Sequence, residues 1–419
     1  MFWSPTGGGV RRYLLTKQAF LATQPGWRHT IAVPLAPRSA QAAEDAVAPG
    51  FANLPAWPLP GTGGYRLPLG RRAIADALTG LRPDLVEAGD PYVVAWAAAD
   101  AAQRLKVPAV AYCHSNLEMM ARLAAGPRLA AVAGRAARAY ARRVYGRFDQ
   151  VLAPSDSMRR HLVDWGLPQA AVQPLGVDTT VFTPGRASAQ WRARLGLAPD
   201  SRVLVYAGRF AAEKHLAVLA AAVGRLGAPY TLLVIGAGPR PPEGARVRVL
   251  PFLSGTMELA TALASADAFV HAGDQETFGL SVLEAMACGL PVIARRAAGL
   301  AELVDDSVGM GVDAGTPAAF AEAIAAVFAS DRTPRQRAAR RRAAAHDWAQ
   351  VLPGLLVRYR VLLGGPAAAA VSGPGTRTAT STSTPTTSPC PSTSASPSPS
   401  TSASTSASAS AGVALDGRP

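Results

Sequence analysis

Two short segments place charged residues where they could bind a nucleotide. In AGRFAAEKHL, Gly208 and Arg209 follow a strand-like run, and Glu213 and Lys214 open a helix-like one, so two cations reach one strand end. Arginine grips phosphate oxygens through paired hydrogen bonds and lysine adds a compact point charge, which suits a diphosphate. Taken alone, the same pair reads equally as solvated charges. In HAGDQETFGLSVLEAMACGLPV, Glu276 lies just before a helical stretch and Glu284 within it, with seven residues between them. The amides of Phe278, Gly279 and Leu280 would begin that helix, and unpaired amides with the helix dipole attract an anion. Six residues beyond Phe278, Glu284 lies roughly 9 Å along the axis, close to the phosphate-to-ribose span of a nucleotide. A carboxylate there suits a vicinal diol, and Glu276 could hold sugar hydroxyls beyond the phosphates. An isolated pair of this kind would read as exposed glutamates at a helix turn. Near the N-terminus, the run Gly7, Gly8 and Gly9 permits close backbone approach to phosphate. His114, after the strand-like AVAY, could donate to a sugar or phosphate oxygen, or be purely structural.

The elements that must position these residues read as alternating apolar runs and Ala-rich helices, the pattern of parallel sheets covered on both faces. In the second half, strands are expected at 202–207, 230–235, 247–250, 268–271 and 291–294. Helices are expected at 215–226, 257–264 and 278–287, which makes a doubly wound α/β domain. The first half is looser, with candidate strands at 29–33, 85–87, 109–112 and 150–153. The fold class is therefore α/β, with two Rossmann-like domains facing a cleft. The N-terminal domain is expected to cover 1–175 and the nucleotide-binding domain 176–345, with a C-terminal helix over 346–365 expected to cross back to the first. A glycine-rich loop such as SPTGGG normally follows a strand, yet only Met1, Phe2 and Trp3 precede it. Either the true start lies upstream or the first sheet lacks a strand.

Composition excludes several classes. The 419 residues are 49% hydrophobic and 17% charged, ample for packed cores and against whole-chain disorder. From Thr376 to Ser410, 23 of 35 residues are Ser or Thr, so 366–419 is expected to be a disordered tail. Cys113, Cys288 and Cys390 show no metal-ligand or disulfide spacing, which favours a reducing, cytoplasmic setting. No signal peptide or spanning run is found. No Asp-x-Asp occurs to hold a divalent ion on a diphosphate, and no metal or other cofactor is expected. VIGAGPRPP lacks the third glycine of a dinucleotide fingerprint, and GGGVRR lacks the Gly-Lys-Ser/Thr of a P-loop. Cys288, in an apolar helix turn, reads as packing.

The net charge of +14 points to an anionic partner. Between Glu118 and Asp149 there is no acidic residue, while Arg122, Arg128, Arg135, Arg138, Arg142, Arg143 and Arg147 run through a helix-favouring segment. This is either a solvated basic helix or one that lies on anionic lipid, with Arg138, Arg142 and Arg143 as the membrane candidates.

Residues 7–362 resemble glycosyltransferase family 4, retaining nucleotide-sugar enzymes of GT-B architecture. The matching pieces are GGGVRRYL, YCHSN, APSDSMRRHL, PLGVDTTVFTP, AGRFAAEKHL, VIGAGP, ETFGLSVLEAMACGLPVIA and DWAQVLPGLLVRYRVLL. The resemblance implies that Arg209 and Lys214 hold the donor diphosphate, Glu284 the ribose and Glu276 the donor sugar. It sets the amides of Phe278, Gly279 and Leu280 near phosphate and sugar, Gly8 and Gly9 near the β-phosphate, and His114 near the donor sugar. Catalysis would rest on Glu276, His114, Arg209 and Lys214, without metal and by front-face attack. The donor would be a GDP- or UDP-hexose and the acceptor a lipid or polysaccharide-precursor hydroxyl, at the cytoplasmic face of a membrane, with no nucleic-acid partner. The rival readings are a GT-B phosphorylase or disaccharide synthase, and a basic membrane- or nucleic-acid-binding protein that no longer turns over.

Overall fold

The run RVLVYA is apolar along its whole length, as a strand covered on both faces must be, and it lies inside the larger of two sheets. The structure is a computed structural model that describes residues 8–34, 50–58, 66–68, 70–89 and 91–364. Gly7, the segment ahead of it and the Ser/Thr-rich stretch expected as a tail lie outside the described residues.

The N-terminal half opens with α1 (Gly9–Ala22), followed by β1 (Ile31–Val33), β2 (Phe51–Asn53), β3 (Ala56–Pro58) and β4 (Arg66–Pro68). Then come α2 (Arg71–Gly80), β5 (Val86–Ala88), α3 (Val93–Leu105), β6 (Ala109–Tyr112), α4 (Leu117–Tyr145), β7 (Gln150–Ala153), α5 (Asp156–Asp164) and β8 (Ala170–Val172). Strands β5 to β8 form a parallel sheet in chain order, β1 and β2 a separate parallel pair, and β3 and β4 an antiparallel one. Among the described residues no strand pairing joins β1–β2 to the four-stranded sheet. The four expected strands of this half are present, two of them shifted or shortened to Ile31–Val33 and Val86–Ala88; β2, β8 and the β3–β4 pair were not foreseen because each is only three residues long.

The second half contains α6 (Ala189–Arg194), β9 (Arg202–Ala207), α7 (Leu216–Leu226), β10 (Tyr230–Ile235), β11 (Val247–Leu250), α8 (Thr256–Ala264) and β12 (Ala268–His271). It continues with α9 (Leu280–Ala287), β13 (Val292–Arg295), α10 (Leu300–Leu303), β14 (Gly309–Val312), α11 (Pro317–Ala329), α12 (Thr333–Ala345) and α13 (Trp348–Leu362). The sheet is parallel throughout, in the order β11-β10-β9-β12-β13-β14. Alternation along β9 serves both faces: Val203 and Val205 join α8, α9, α12 and α13 in one core, and Leu204 and Tyr206 join α7 and α11 in the other. The strand order reverses between β9 and β12, so their C-terminal ends flank the crevice where such sheets bind ligands.

The halves meet again at the end of the chain. Val177 N–H donates to the His346 carbonyl (2.9 Å) and Trp348 N–H to the Val177 carbonyl (3.1 Å). A Cβ at Gly176 would lie 2.7 Å from the Trp348 indole, so only glycine allows this crossing. α13 then lies along the N-terminal half, where Gln173 donates to the Val351 carbonyl and Arg358 to that of Val172. Beneath it, Lys17 is 2% exposed and its Nζ meets Glu87 Oε1 at 2.6 Å, while the Tyr359 and Tyr13 hydroxyls donate to the same carboxylate. Burial, the largest influence, pushes the Glu87 carboxyl up, but Lys17 and the Tyr359 hydrogen bond outweigh it and hold it below its usual value. Removing one member of such a pair strands the other charge in the interior. Glu87→Ala is expected to lose roughly 3–5 kcal/mol of stability and the double variant Lys17→Met/Glu87→Leu to regain most of it. Urea unfolding followed by circular dichroism checks this; an unchanged midpoint for Glu87→Ala would refute it.

Candidate active site

The crevice is built by strand ends. β9 ends at Ala207 and a short turn, Ala212–Lys214, carries Lys214 inward, where its Nζ pairs with Glu276 Oε1. β12 ends at His271, 1% exposed, whose Nε2 lies 3.2 Å from the same Glu276 oxygen. The Gly273 N–H donates to His271 Nδ1 (3.2 Å), so the ring proton belongs on Nε2, aimed at Glu276. Burial, the strongest influence, pushes the Glu276 carboxyl up; the charge of Lys214 and the hydrogen bonds from His271 and Lys214 overcome it and hold the carboxyl well below the usual carboxylate range. Glu276, its side chain 21% exposed, is therefore a partly buried carboxylate held in its ionised form. Among the described residues both donors converge on Oε1.

The loop carrying Glu276 is seated by glycine. Gly299 N–H donates to the Glu276 carbonyl (2.9 Å), and a Cβ at Gly299 would lie 2.5 Å from the Thr277 carbonyl oxygen. Gly279 caps α9 in the left-handed region at φ 100°, so the helix begins at Leu280. The expected helix start at Phe278 is thereby corrected. Phe278 and Gly279 precede the first turn, and the amides without an intrahelical acceptor are those of Leu280, Ser281 and Val282. α1 begins at Gly9, and a Cβ there would fall 2.2 Å from Leu280 Cδ1. Two helix N-termini thus meet, each carrying the positive end of a helix dipole. Gly8 precedes α1, with nothing within 4 Å of the place where its Cβ would be.

Further contacts span the cleft. Glu284, 5% exposed on α9, pairs with the Arg12 guanidinium of α1. Thr277 Oγ1 donates to the His114 carbonyl (3.0 Å), and Glu302 accepts from the amides of Asp156 (2.9 Å) and Ser157 (2.5 Å) at the start of α5. The His114 ring stacks on Tyr112 with centroids 4.2 Å apart, and both ring nitrogens are shielded from water without a hydrogen-bond partner. Burial lowers its pKa to about 4. Among the described residues no group of three or more His, Cys, Asp or Glu is arranged to hold a metal ion, and no helix is long and apolar enough to cross a membrane.

Residues 7–181 match the family described as Glycosyltransferase Family 4, and residues 201–330 match Glycosyl transferases group 1. The chain is 34% identical over 310 residues to a GDP-mannose-dependent alpha-mannosyltransferase of Mycolicibacterium smegmatis, covering 71% of this chain and 79% of that one. The chain belongs to glycosyltransferase family 4. A GDP-mannose-dependent alpha-(1-6)-phosphatidylinositol dimannoside mannosyltransferase of Mycobacterium tuberculosis is 31% identical, over 73% of this chain and 80% of its own. Among solved structures, HepE of Anabaena in complex with UDP and glucose superposes with a TM-score of 0.67 at 19% identity, covering 84% and 96% of the two chains. Sucrose-phosphate synthase of Thermosynechococcus elongatus does so at 0.66 and 22%, covering 85% and 94%. The fold is GT-B, and this family 4 member is a glycosyltransferase that uses a nucleotide-sugar donor.

In this glycosyltransferase the structure brings together Lys214, Glu276, Leu280, Glu284, Gly9 and the backbone of His114. It does not bring in Arg209, whose side chain is 75% exposed and pairs with Glu213 at 3.3 Å, because the two lie four residues apart on one turn. His271 and Arg12 were missed by sequence reasoning. His271 closes the strand AFVH three residues before Asp274, and Arg12 sits in GGGVRRYL three residues after the last glycine.

The shielded histidines set a pH dependence. His114 titrates in the folded protein at about 4 and His29, through burial and the charge of Lys17, at about 3, against 6.5 when exposed. Their contribution to stability is complete above 6.5 and is lost as pH falls toward these folded values. His114→Phe, which keeps the stack on Tyr112, is expected to flatten that acid loss by about 1.4 kcal/mol per pH unit near pH 5. Urea unfolding between pH 4.5 and 7 measures it, and an unaltered slope would mean that the ring is not kept neutral.

Proposed function

We propose that this enzyme transfers mannose from GDP-mannose to a hydroxyl of a lipid or polysaccharide-precursor acceptor, with retention at the anomeric carbon and without a metal ion. The observation that carries the reading is the meeting of the α1 and α9 N-termini beside the Lys214–Glu276–His271 cluster, which supports an anionic diphosphate with a sugar next to it. Guanine and mannose are supported by the GDP-mannose dependence of relatives that match about seven tenths of the chain.

In this reading Glu284 takes the ribose diol, Glu276 Oε2 accepts from hydroxyls of the mannose, and the α9 amides face the phosphates. The glycosidic C1–O bond breaks with its electron pair going to the β-phosphate. The acceptor oxygen forms the new bond to C1 from the same face and passes its proton to that phosphate. Lys214 and the two helix ends supply the stabilisation of leaving-group charge that a metal would otherwise give, with Gly8 in the loop at the α1 end; Arg209 joins them only by leaving Glu213. His114, neutral and shielded, can donate to a sugar oxygen without bringing a second positive charge.

Binding to an anionic membrane surface is supported by α4. Gly126, in the left-handed region at φ 70°, kinks it ahead of Pro127. Met120, Leu123, Leu129 and Val132 are exposed along it, with Arg128, Arg135, Arg142 and Arg143 in solvent among them. Arg138 is drawn instead to Glu118 at 3.4 Å.

Two outcomes test the proposal. GDP-mannose should be turned over in preference to UDP-glucose, undiminished by EDTA, with Glu276→Gln lowering kcat/KM roughly a hundredfold; preference for a uridine donor, or loss in EDTA reversed by Mg2+, would refute it. In sedimentation with phosphatidylglycerol vesicles, Arg142→Glu/Arg143→Glu should weaken binding about tenfold or more and Arg138→Gln much less. Binding indifferent to lipid charge would rule out the membrane part.

A further inference from the structure

Glu284 has two claimants. The donor reading above assigns its carboxylate to ribose hydroxyls, yet in the structure that carboxylate carries the Arg12 guanidinium, brought across the cleft from the first turn of α1. A ribose on Glu284 must take hydrogen-bonding positions that Arg12 holds. Arginine keeps its charge at every working pH, and one wall around this guanidinium is apolar, the Phe182 ring lying 5.6 Å from it. A cation moved off its carboxylate in such a place needs another anion.

The only new anion that a donor brings is its diphosphate, and the place for it is close by. Gly9, three residues before Arg12, packs on Leu280 at the amide-rich start of α9, four residues before Glu284. A nucleotide with its ribose on Glu284 and its phosphates at that helix end passes alongside the first turn of α1. Lys214 is arranged in the same way, lying on Glu276. Arg12 and Lys214 are thus each balanced by a carboxylate.

We propose that Arg12 is a donor-binding residue that exchanges partners, yielding Glu284 to the ribose and taking the donor diphosphate in its place. The exchange couples recognition of the nucleoside on one half of the enzyme to a phosphate contact from the other half. It rests on the nucleotide-sugar site proposed above.

Calorimetric titration of the whole chain with guanosine and with GDP, and with uridine and UDP in parallel, tests it. Arg12→Met keeps the side chain's length and its packing on Phe182 but removes the charge. The variant should bind the nucleoside more tightly, because Glu284 is released, and the nucleoside diphosphate more weakly, because a phosphate contact is lost. The ratio of the two affinities should fall about tenfold or more, with Arg12→Lys in between. If Arg12 were only a strut between the halves, both ligands would shift by the same factor and the ratio would stay at the wild-type value, which overturns the exchange. Tighter binding of both by an equal factor, the behaviour of a simple plug, overturns it too. Should Arg12→Met not fold, Arg12→Lys and Arg12→Gln carry the same ratio test. A folded wild-type chain that binds neither GDP nor UDP refutes the donor reading, and this proposal with it. UDP binding without GDP binding refutes only the choice of base and leaves the ratio to be read with uridine and UDP.

Discussion

Everything at the crevice depends on keeping a partly buried carboxylate ionised. Burial alone would drive a proton onto Glu276, and a neutral acid there could neither attract a cation nor accept hydroxyl protons strongly. Lys214 and His271 prevent this from two directions, one at the turn after β9 and one at the end of β12. These strands are neighbours in the middle of the sheet, where the order reverses and helices leave in opposite directions. The crevice is therefore a consequence of sheet topology, and the charge of Glu276 is a consequence of the crevice.

The same economy of charge runs through the cross-cleft contacts. Arg12 lies on Glu284, Glu302 caps the amides that open α5, and Lys17, Glu87 and Tyr359 tie α13 to α1 and β5. Lys17 and Glu284 are buried and would be costly there alone, while Glu302 stays exposed; together these contacts fix which surfaces face each other. Close backbone contacts complete the work at Gly9, Gly176 and Gly299, where a single methyl group would push the halves or the loops apart.

Much of the fold was legible in the sequence. Runs such as RVLVYA and YTLLVI are buried on both faces and need no partner to be recognised, so β9, β10 and β12 fall where the apolar pattern puts them, as does the more exposed edge strand β11. Three-residue strands such as β2, β8 and the β3–β4 pair lack enough alternation to stand out. The start of α9 was misread by two residues because the left-handed turn at Gly279, not the apolar periodicity, decides where its hydrogen bonds begin.

The candidate site divides along the same line. Residue type and spacing singled out Lys214, Glu276, Glu284 and His114, because a strand end followed by a helix start determines locally which side chains reach an edge. Spacing could not say which charges meet. Arg209 turns to Glu213 on its own turn, Lys214 turns to Glu276 some sixty residues away, and Arg12 crosses to Glu284 from the other half of the chain. The sequence by itself determined the α/β class, the parallel strands and the chemistry available at their ends, since these depend on local periodicity and residue type. Only the tertiary structure decided the pairing of charges and the role of His271. A buried ion pair is settled by distance in space, and distance in space is set by the packing of the sheets.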